Sequence, residues 1–405
     1  MNTMKTFSGK YGMVLLAMCG FACSSYGIAI NSAGVFFTPI AEEFLVGKGA
    51  VSLTITISSI VTALAGLLLP KILKEKSMKT VFLTAAACMI LASIGMGLSP
   101  NIYVLYLMNA LRGFGGGLIS FVTITIFINN WFYAKHGLAT SITMGFSGIS
   151  GALLSPLFTL LIQQIGWRAT YFASAVLLAV FCLPSLVLPF SLKPETVGMH
   201  AFGLEERVNT EKGTTASETA SSGSLAFLWI CIVATGSNII IGIVQHLPSY
   251  AQSLQFSAAA GALMLSLALI GNIGSKLIAG TLADAIGTKN SLLIIASLHV
   301  LSVILLFCTG NLLFLYLGSL LMGCGYGMGA VGITLMTKSL FGVEGFIRVF
   351  PIVSFIGTIA YALATTGIGY LYDLTSSYML SLEICLILSI LVVLAIALAY
   401  RIKKQ

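Results

Sequence analysis

Apolar stretches long enough to cross a hydrocarbon core of roughly 30 Å, at about 1.5 Å per helical residue, recur along the whole chain. Twelve can be read, beginning near Tyr11, Val51, Val81, Ile102, Leu138, Thr170, Leu225, Ala258, Ser291, Leu312, Val349 and Met379. A backbone in hydrocarbon has to satisfy its own polar groups, and at this segment length the α-helix is the structure that does so. With 58% hydrophobic residues, 8% charged and a mean hydropathy of +1.03, too little polar surface remains to coat a soluble globule. The reading is an all-α membrane protein of twelve transmembrane helices.

Lys and Arg concentrate in cytoplasmic connections, which orients such a chain. If the N-terminus is cytoplasmic, the inner segments hold every Lys and Arg except Lys48 and Arg168 outside, and Arg112 and Lys276 within spans. Both termini are therefore expected on the cytoplasmic side of the cell membrane. The net charge of +8 follows from this bias, and no basic cluster interleaved with aromatics suggests nucleic acid. The eight cysteines lie within or beside apolar spans, without a C-x-x-C pair or zinc spacing, and read as small core residues. The apolar stretch after Tyr11 lacks a small-residue cleavage site and reads as a retained first span.

One polar interval, Ser191 to Ser224, has the Gly, Ser and Thr content of a linker and divides the spans six and six. The halves resemble each other. Leu105-Tyr106-Leu107, followed by Gly113, Gly115 and Gly117, repeats at an offset of 210 residues as Leu315-Tyr316-Leu317 with Gly323, Gly325 and Gly327. Gly66-x-Leu68 repeats as Gly280-x-Leu282 at an offset of 214. This predicts two pseudo-symmetric six-helix bundles, residues 1–190 and 225–405, joined by a cytoplasmic linker over 191–224. Such an organisation describes a secondary transporter with its substrate site at mid-membrane.

The segment Gly280-Thr281-Leu282-Ala283-Asp284-Ala285-Ile286-Gly287-Thr288-Lys289 resembles the major facilitator superfamily signature G-x-L-x-D-[RK]-x-G-x-[RK], in its family position between spans eight and nine. The usual copy between spans two and three is degraded: Gly66 is kept, but Pro70 replaces the Asp and Lys71 the Arg. A carboxylate at a helix end can cap the positive N-terminus of a neighbouring helix, so Asp284 is expected to close the inner side. Within the superfamily the chain is most similar to the monocarboxylate transporters and the related oxalate:formate antiporter branch. That resemblance rests on Trp131 to Ala139, Gly148 to Gly151, Ser155-Pro156, Gly166-Trp167-Arg168, Gln245-His246-Leu247-Pro248, and Gly369 to Tyr378.

The resemblance carries specific positions. The span-eight Arg of monocarboxylate transporters is Lys276 here, and the Asp one turn earlier is Asn272. The Lys before the V-F-F run of span one is Asn31, and the span-eleven Lys of the antiporter branch has no counterpart between Val349 and Tyr372. One principal cavity cation implies a monoanion or weakly charged zwitterion. Loss of the partner acid implies exchange or facilitated transport over obligatory proton symport, with a proton or a counter-anion as the open choice of co-substrate.

An ionised Lys or Arg inside a span costs roughly 2.5–3.5 kcal/mol on insertion scales, so such residues face a cavity or a partner. Asn272, Lys276, Gly280 and Asp284 share a helix face at four-residue spacing, with Lys276 about 12 Å before Asp284. Lys276 is read as the anion-binding cation, against a structural ion pair or snorkelling to the interface. Arg112 heads the glycine run of span four, where many superfamily members carry an Arg; structural, substrate-facing and coupling roles stay open. Tyr26, Asn31, Asn238, Tyr326 and Tyr361 lie on spans expected to line the cavity. Gln245 and His246 sit near the outer end of span seven, where the imidazole could gate, bind or titrate. Glu383, near the outer end of span twelve, and His299, in span nine, rank lower.

The expected partners are a small organic anion and the lipid bilayer, with no cofactor, no nucleic acid and no second subunit. A drug or amphipath exporter is the alternative within transport, favoured by 14 Tyr and 24 Phe and opposed by the few acids within spans. A transporter-like sensor is the alternative outside it, but the linker and short termini leave no room for a signalling domain. No H-E-x-x-H, G-x-S-x-G or P-loop is present, so an enzyme is not expected.

Overall fold

The computed structural model describes residues 9–75, 77–133, 136–187, 194–198, 200–202 and 225–402. Eleven helices in this set are long and apolar enough to cross a membrane. They are α1 (Tyr11–Phe44), α2 (Lys48–Gly66), α3 (Met78–Gly97), α4 (Ile102–Trp131), Leu138–Ser185, α7 (Leu225–Ser253), α8 (Ala258–Ile286), α9 (Thr288–Leu306), α10 (Leu312–Gly342), α11 (Arg348–Thr375) and α12 (Met379–Arg401). The helix Leu138–Ser185 is broken at Gly166, where φ 81° and ψ 163° admit no side chain without strain. It is thus two traverses, α5 (138–165) and α6 (167–185), and the count of twelve is reached without a polar loop between them. Among the described residues no strand forms, and the β-type pairing is an isolated bridge, Phe132 with Phe202.

Side-chain caps fix where several spans begin. Ser77 accepts from Thr80 N ahead of α3, Asn101 from Val104 N ahead of α4, Ser257 from Ala260 N ahead of α8, and Asn311 from Leu313 N ahead of α10. Asn101 and Asn311 stand at the same 210-residue offset as the internal repeat. The repeat therefore preserves how α4 and α10 start as well as their glycines.

The chain forms two compact units. The first comprises Met1–Ser32 and Ile57–Gly213, the second Ala33–Thr56 and Thr214–Gln405. Residues 33–56, the turn from α1 to α2 with the helix ends on either side, belong to the second unit. Of the polar interval, residues 191–193, 199 and 203–224 lie outside the described residues. Its described part is anchored in the first unit, where Phe202 N donates to Trp131 O at 2.8 Å and Tyr133 N to Phe202 O at 3.0 Å.

Within each unit the glycine run sets how closely helices approach, the usual means in membranes, where association depends on packing small residues. In the first unit a Cβ on Gly115 would stand 2.8 Å from Ala85 O of α3, and one on Gly117 would stand 2.5 Å from the Ala65 side chain of α2. In the second unit a Cβ on Gly327 would stand 2.6 Å from Ser275 Oγ of α8, and Gly323 abuts the backbone of Ala268, Gly271 and Asn272. The second unit's core is built from Ile230, Val233, Leu292, Ile295, Met336, Val353 and Ile396. Leucines such as Leu153, Leu301 and Leu394 project outward, as a bilayer-facing surface requires.

Candidate functional site

The close approach of α8 and α10 positions the polar stripe of the second unit. Ser275 Oγ donates to Gly323 O across the contact and to Asn272 O, both at 3.0 Å. Asn272, one turn before Lys276, is 3% exposed, and its Oδ1 has no hydrogen-bond partner. Lys276 is half-buried and makes no hydrogen bond or ion pair among the described residues. Tyr326 on α10 and Tyr361 on α11 each bury a phenol oxygen that closes no hydrogen bond. The Gln245 side chain on α7 lies against both phenols. Its Oε1 accepts from Gly34 N at 3.2 Å, while its Nε2 is buried without a partner.

Four helices of one unit thus direct unpaired polar atoms inward: an amide oxygen, an amide nitrogen and two hydroxyls, in addition to a free ammonium. Buried polar groups are nearly always hydrogen-bonded, and leaving one unmet costs about 1–3 kcal/mol. The two phenols, the Gln245 Nε2 and the ammonium can donate to a ligand carboxylate, while Asn272 Oδ1, an acceptor, would be completed by a hydroxyl on the same ligand.

The other expected residues of this unit are already committed. Asn238 Nδ2 donates to Ala234 O at 2.8 Å and packs against Gly357. His246 is fully buried; its Nε2 lies 2.7 Å from Thr365 O and its Nδ1 3.4 Å from Tyr378 Oη. An imidazole so placed donates from Nε2 and accepts at Nδ1. His299 Nε2 lies 3.2 Å from Met322 Sδ, beside the glycine run.

In the first unit the expected residues secure an irregular stretch of α1. Residues Cys23–Asn31 form wide π-turns, in which Ser32 N reaches back to Gly27 O; past the end of this unit's segment at Ser32, Ala33–Phe36 form a tight 3-10 turn. Arg112, 4% exposed, donates from Nη2 to Ile28 O at 2.8 Å, with Nη1 3.7 Å from Met96 Sδ and Nε unpartnered. Asn31 Nδ2 donates to Ser147 O of α5 at 2.8 Å. Tyr26 stacks on Phe121 with ring centres 3.6 Å apart, and its hydroxyl accepts from Phe121 N.

The expected gating residues are open in this conformation. A Cβ on Gly66 or Gly280 would meet nothing within 4 Å. Asp284 is exposed on the last turn of α8, Gly287 has φ 82°, and Lys289 begins α9 half-buried. The side chain of Lys71 lies outside the described residues.

A carboxylate that caps a helix does exist, at the far end of α11. Asp373 accepts from Lys48 N and Gly49 N at the start of α2, both at 2.8 Å. The sequence expectations give Asp373 no role, yet a signal is there: Gly369-Tyr370-Leu371-Tyr372-Asp373 is a second G-x-L-x-D.

Comparison with known proteins agrees with this architecture. The sequence pattern defining the Major Facilitator Superfamily matches residues 17–365. The chain is 25% identical over 366 residues to an uncharacterized MFS-type transporter, YcxA of Bacillus subtilis, covering 88% of this chain and 87% of that one. It is also 25% identical over 284 residues to monocarboxylate transporter 13 of Rattus norvegicus, covering 69% of this chain and 62% of that protein. Among solved structures, the nucleoside transporter NupG superimposes with a TM-score of 0.71 at 12% identity, over 96% of this chain and 99% of that one.

Proposed function

From the premise that this chain belongs to the Major Facilitator Superfamily, and so is a multi-pass membrane transporter and not an enzyme, we propose that its cargo is a small, monocarboxylate-like organic anion. Lys276 holds the carboxylate. The observation that carries this reading is the half-buried ammonium of Lys276, free of any ion pair among the described residues and accompanied on the same unit's helices by the unpaired donors Gln245 Nε2, Tyr326 Oη and Tyr361 Oη. A carboxylate entering a site of low polarity loses hydration, and a charge-assisted bond compensates for more of that loss there than in water. Tyr326, Tyr361 and Gln245 offer donors to the remaining oxygens. The likeness to monocarboxylate transporter 13 supports the same cargo class.

Movement proceeds by alternating access, as exchange or facilitated transport, because the position that would carry a proton beside Lys276 is an amide, Asn272. The distribution of Lys and Arg supports a cytoplasmic location for both termini and for the 191–224 linker.

Reconstituted protein tests the reading with labelled acetate, lactate and oxalate, each measured with and without the same acid trapped inside. Counterflow of a monocarboxylate that is lost in Lys276→Ala, while the variant stays monodisperse, is the expected result. Full-affinity carboxylate binding by that variant would place the anion elsewhere.

A further inference from the structure

We propose that Asp373 and the start of α2 form a latch, closed in this conformation, and that Asp284 is its counterpart at the opposite face, the two carboxylates engaging in turn as the transporter changes state. This rests on transport by the superfamily fold and is independent of the cargo. It concerns contacts within the second unit.

The latch is built as a unit. The Asp373 carboxylate takes the first two amides of α2, one per oxygen, where the helix dipole is positive. Glycine makes the approach possible on both sides. A Cβ on Gly49 would stand 2.6 Å from the Tyr370 ring, one on Gly369 would stand 2.7 Å from Gly49 Cα, and one on Gly47 would fall on the Asp373 carboxylate. The Lys48 ammonium lies 4.1 Å from the centre of the Tyr372 ring and 5.7 Å from that of Tyr378, and those two rings stack 4.4 Å apart. Farther in, Thr38 Oγ1 and Ser249 Oγ share a hydrogen bond at 3.1 Å, and Thr56 bonds Thr366.

The counterpart repeats the sequence and inverts the state. Both carboxylates end a G-x-L-x-D run at the C-terminal end of a span. Since successive spans alternate in direction, the ends of α8 and α11 lie on opposite faces. At the α11 end the glycine is packed and the acid is bonded. At the α8 end Gly280 has open space around it, and Asp284 is exposed without a hydrogen bond among the described residues. A glycine and an acid in one pattern serve one purpose, close approach of a helix N-terminus followed by its capping, and a single conformation uses one copy.

Accessibility distinguishes the states. Ser249 is fully buried beneath the latch, so Ser249→Cys in the full chain reports its opening. An impermeant maleimide is applied to either face, in intact cells and in inverted vesicles, and labelling is read above that of the parent chain, whose own eight cysteines set the background. Asp373→Ala and, independently, Gly49→Ala should raise labelling from the Asp373 face about tenfold, because the charged acceptor is lost in one and the approach blocked in the other. Asp284→Ala should leave that labelling at the parent rate or below it. Unchanged labelling in Gly49→Ala overturns the latch even if Asp373→Ala is poorly folded. Equal increases in Asp373→Ala and Asp284→Ala overturn the alternation.

Discussion

Replacing Gly327 with Ala is expected to destabilise the protein by about 2–4 kcal/mol and to weaken anion binding, although the substitution adds one methyl group. The new Cβ would stand 2.6 Å from Ser275 Oγ, 2.7 Å from Ser275 Cβ and 2.9 Å from its carbonyl carbon. Non-bonded heavy atoms settle at about 3.5–4.0 Å, so α8 and α10 must part by about 1 Å at this step. Overpacking of this kind costs about 1–3 kcal/mol. The Ser275 bond to Gly323 O, at 3.0 Å, is lost as the helices separate, adding about 1 kcal/mol. Lys276 is the next residue, so its ammonium moves with the displaced turn. Gly280→Ala is the control, on the facing helix α8: nothing lies within 4 Å of its Cβ, and Ala exceeds Gly in helix propensity by up to about 1 kcal/mol. Heating detergent-solubilised protein and following the monodisperse fraction by gel filtration should show Gly327→Ala melting several degrees below the parent and Gly280→Ala at or above it. Equal melting of the two variants would refute the packing argument.

Three further outcomes follow from the same contacts. Arg112→Ala should cost about 1.5–3 kcal/mol through the lost bond to Ile28 O and lower the yield of monodisperse protein, with Arg112→Lys in between; a stable Arg112→Ala protein that no longer binds acetate or lactate would make the guanidinium a ligand. His246→Ala should lower the melting temperature without altering how counterflow varies between pH 6 and 8, since both ring nitrogens are committed to Thr365 and Tyr378; a changed pH profile would return the imidazole to the proton path. Lys276→Arg should keep partial counterflow, because the charge persists while reach and donor geometry differ.

The twelve traverses were legible because a bilayer demands about twenty apolar residues at a time, a signal that survives even where no polar loop intervenes, as at Gly166. The glycine runs of α4 and α10 were legible as close-approach surfaces for a similar reason: the repeat preserved them. What could not be read was the partner of each polar side chain. Asn31 and Arg112 were candidates for the cargo, and the structure ties them to Ser147 O and Ile28 O. Backbone carbonyls have no sequence identity, so no pattern of residue types announces such a bond. The same limit hid Lys48, counted as an outer loop charge, although its backbone amide is the donor that Asp373 meets.

The first span alters its hydrogen-bond register between Cys23 and Phe36, wide turns giving way to tight ones. A rod with such a fault holds a residue of slack. If the fault travels along the helix, each residue it passes rotates by about 100° and shifts by about 1.5 Å, while the helix on either side keeps its place and the total of backbone bonds is conserved. Arg112, fastened to Ile28 O inside the fault, then sets the phase in which Asn31 and the following turn are presented. Loss of its side chain would be felt as a misdirected helix, at a distance from the arginine itself.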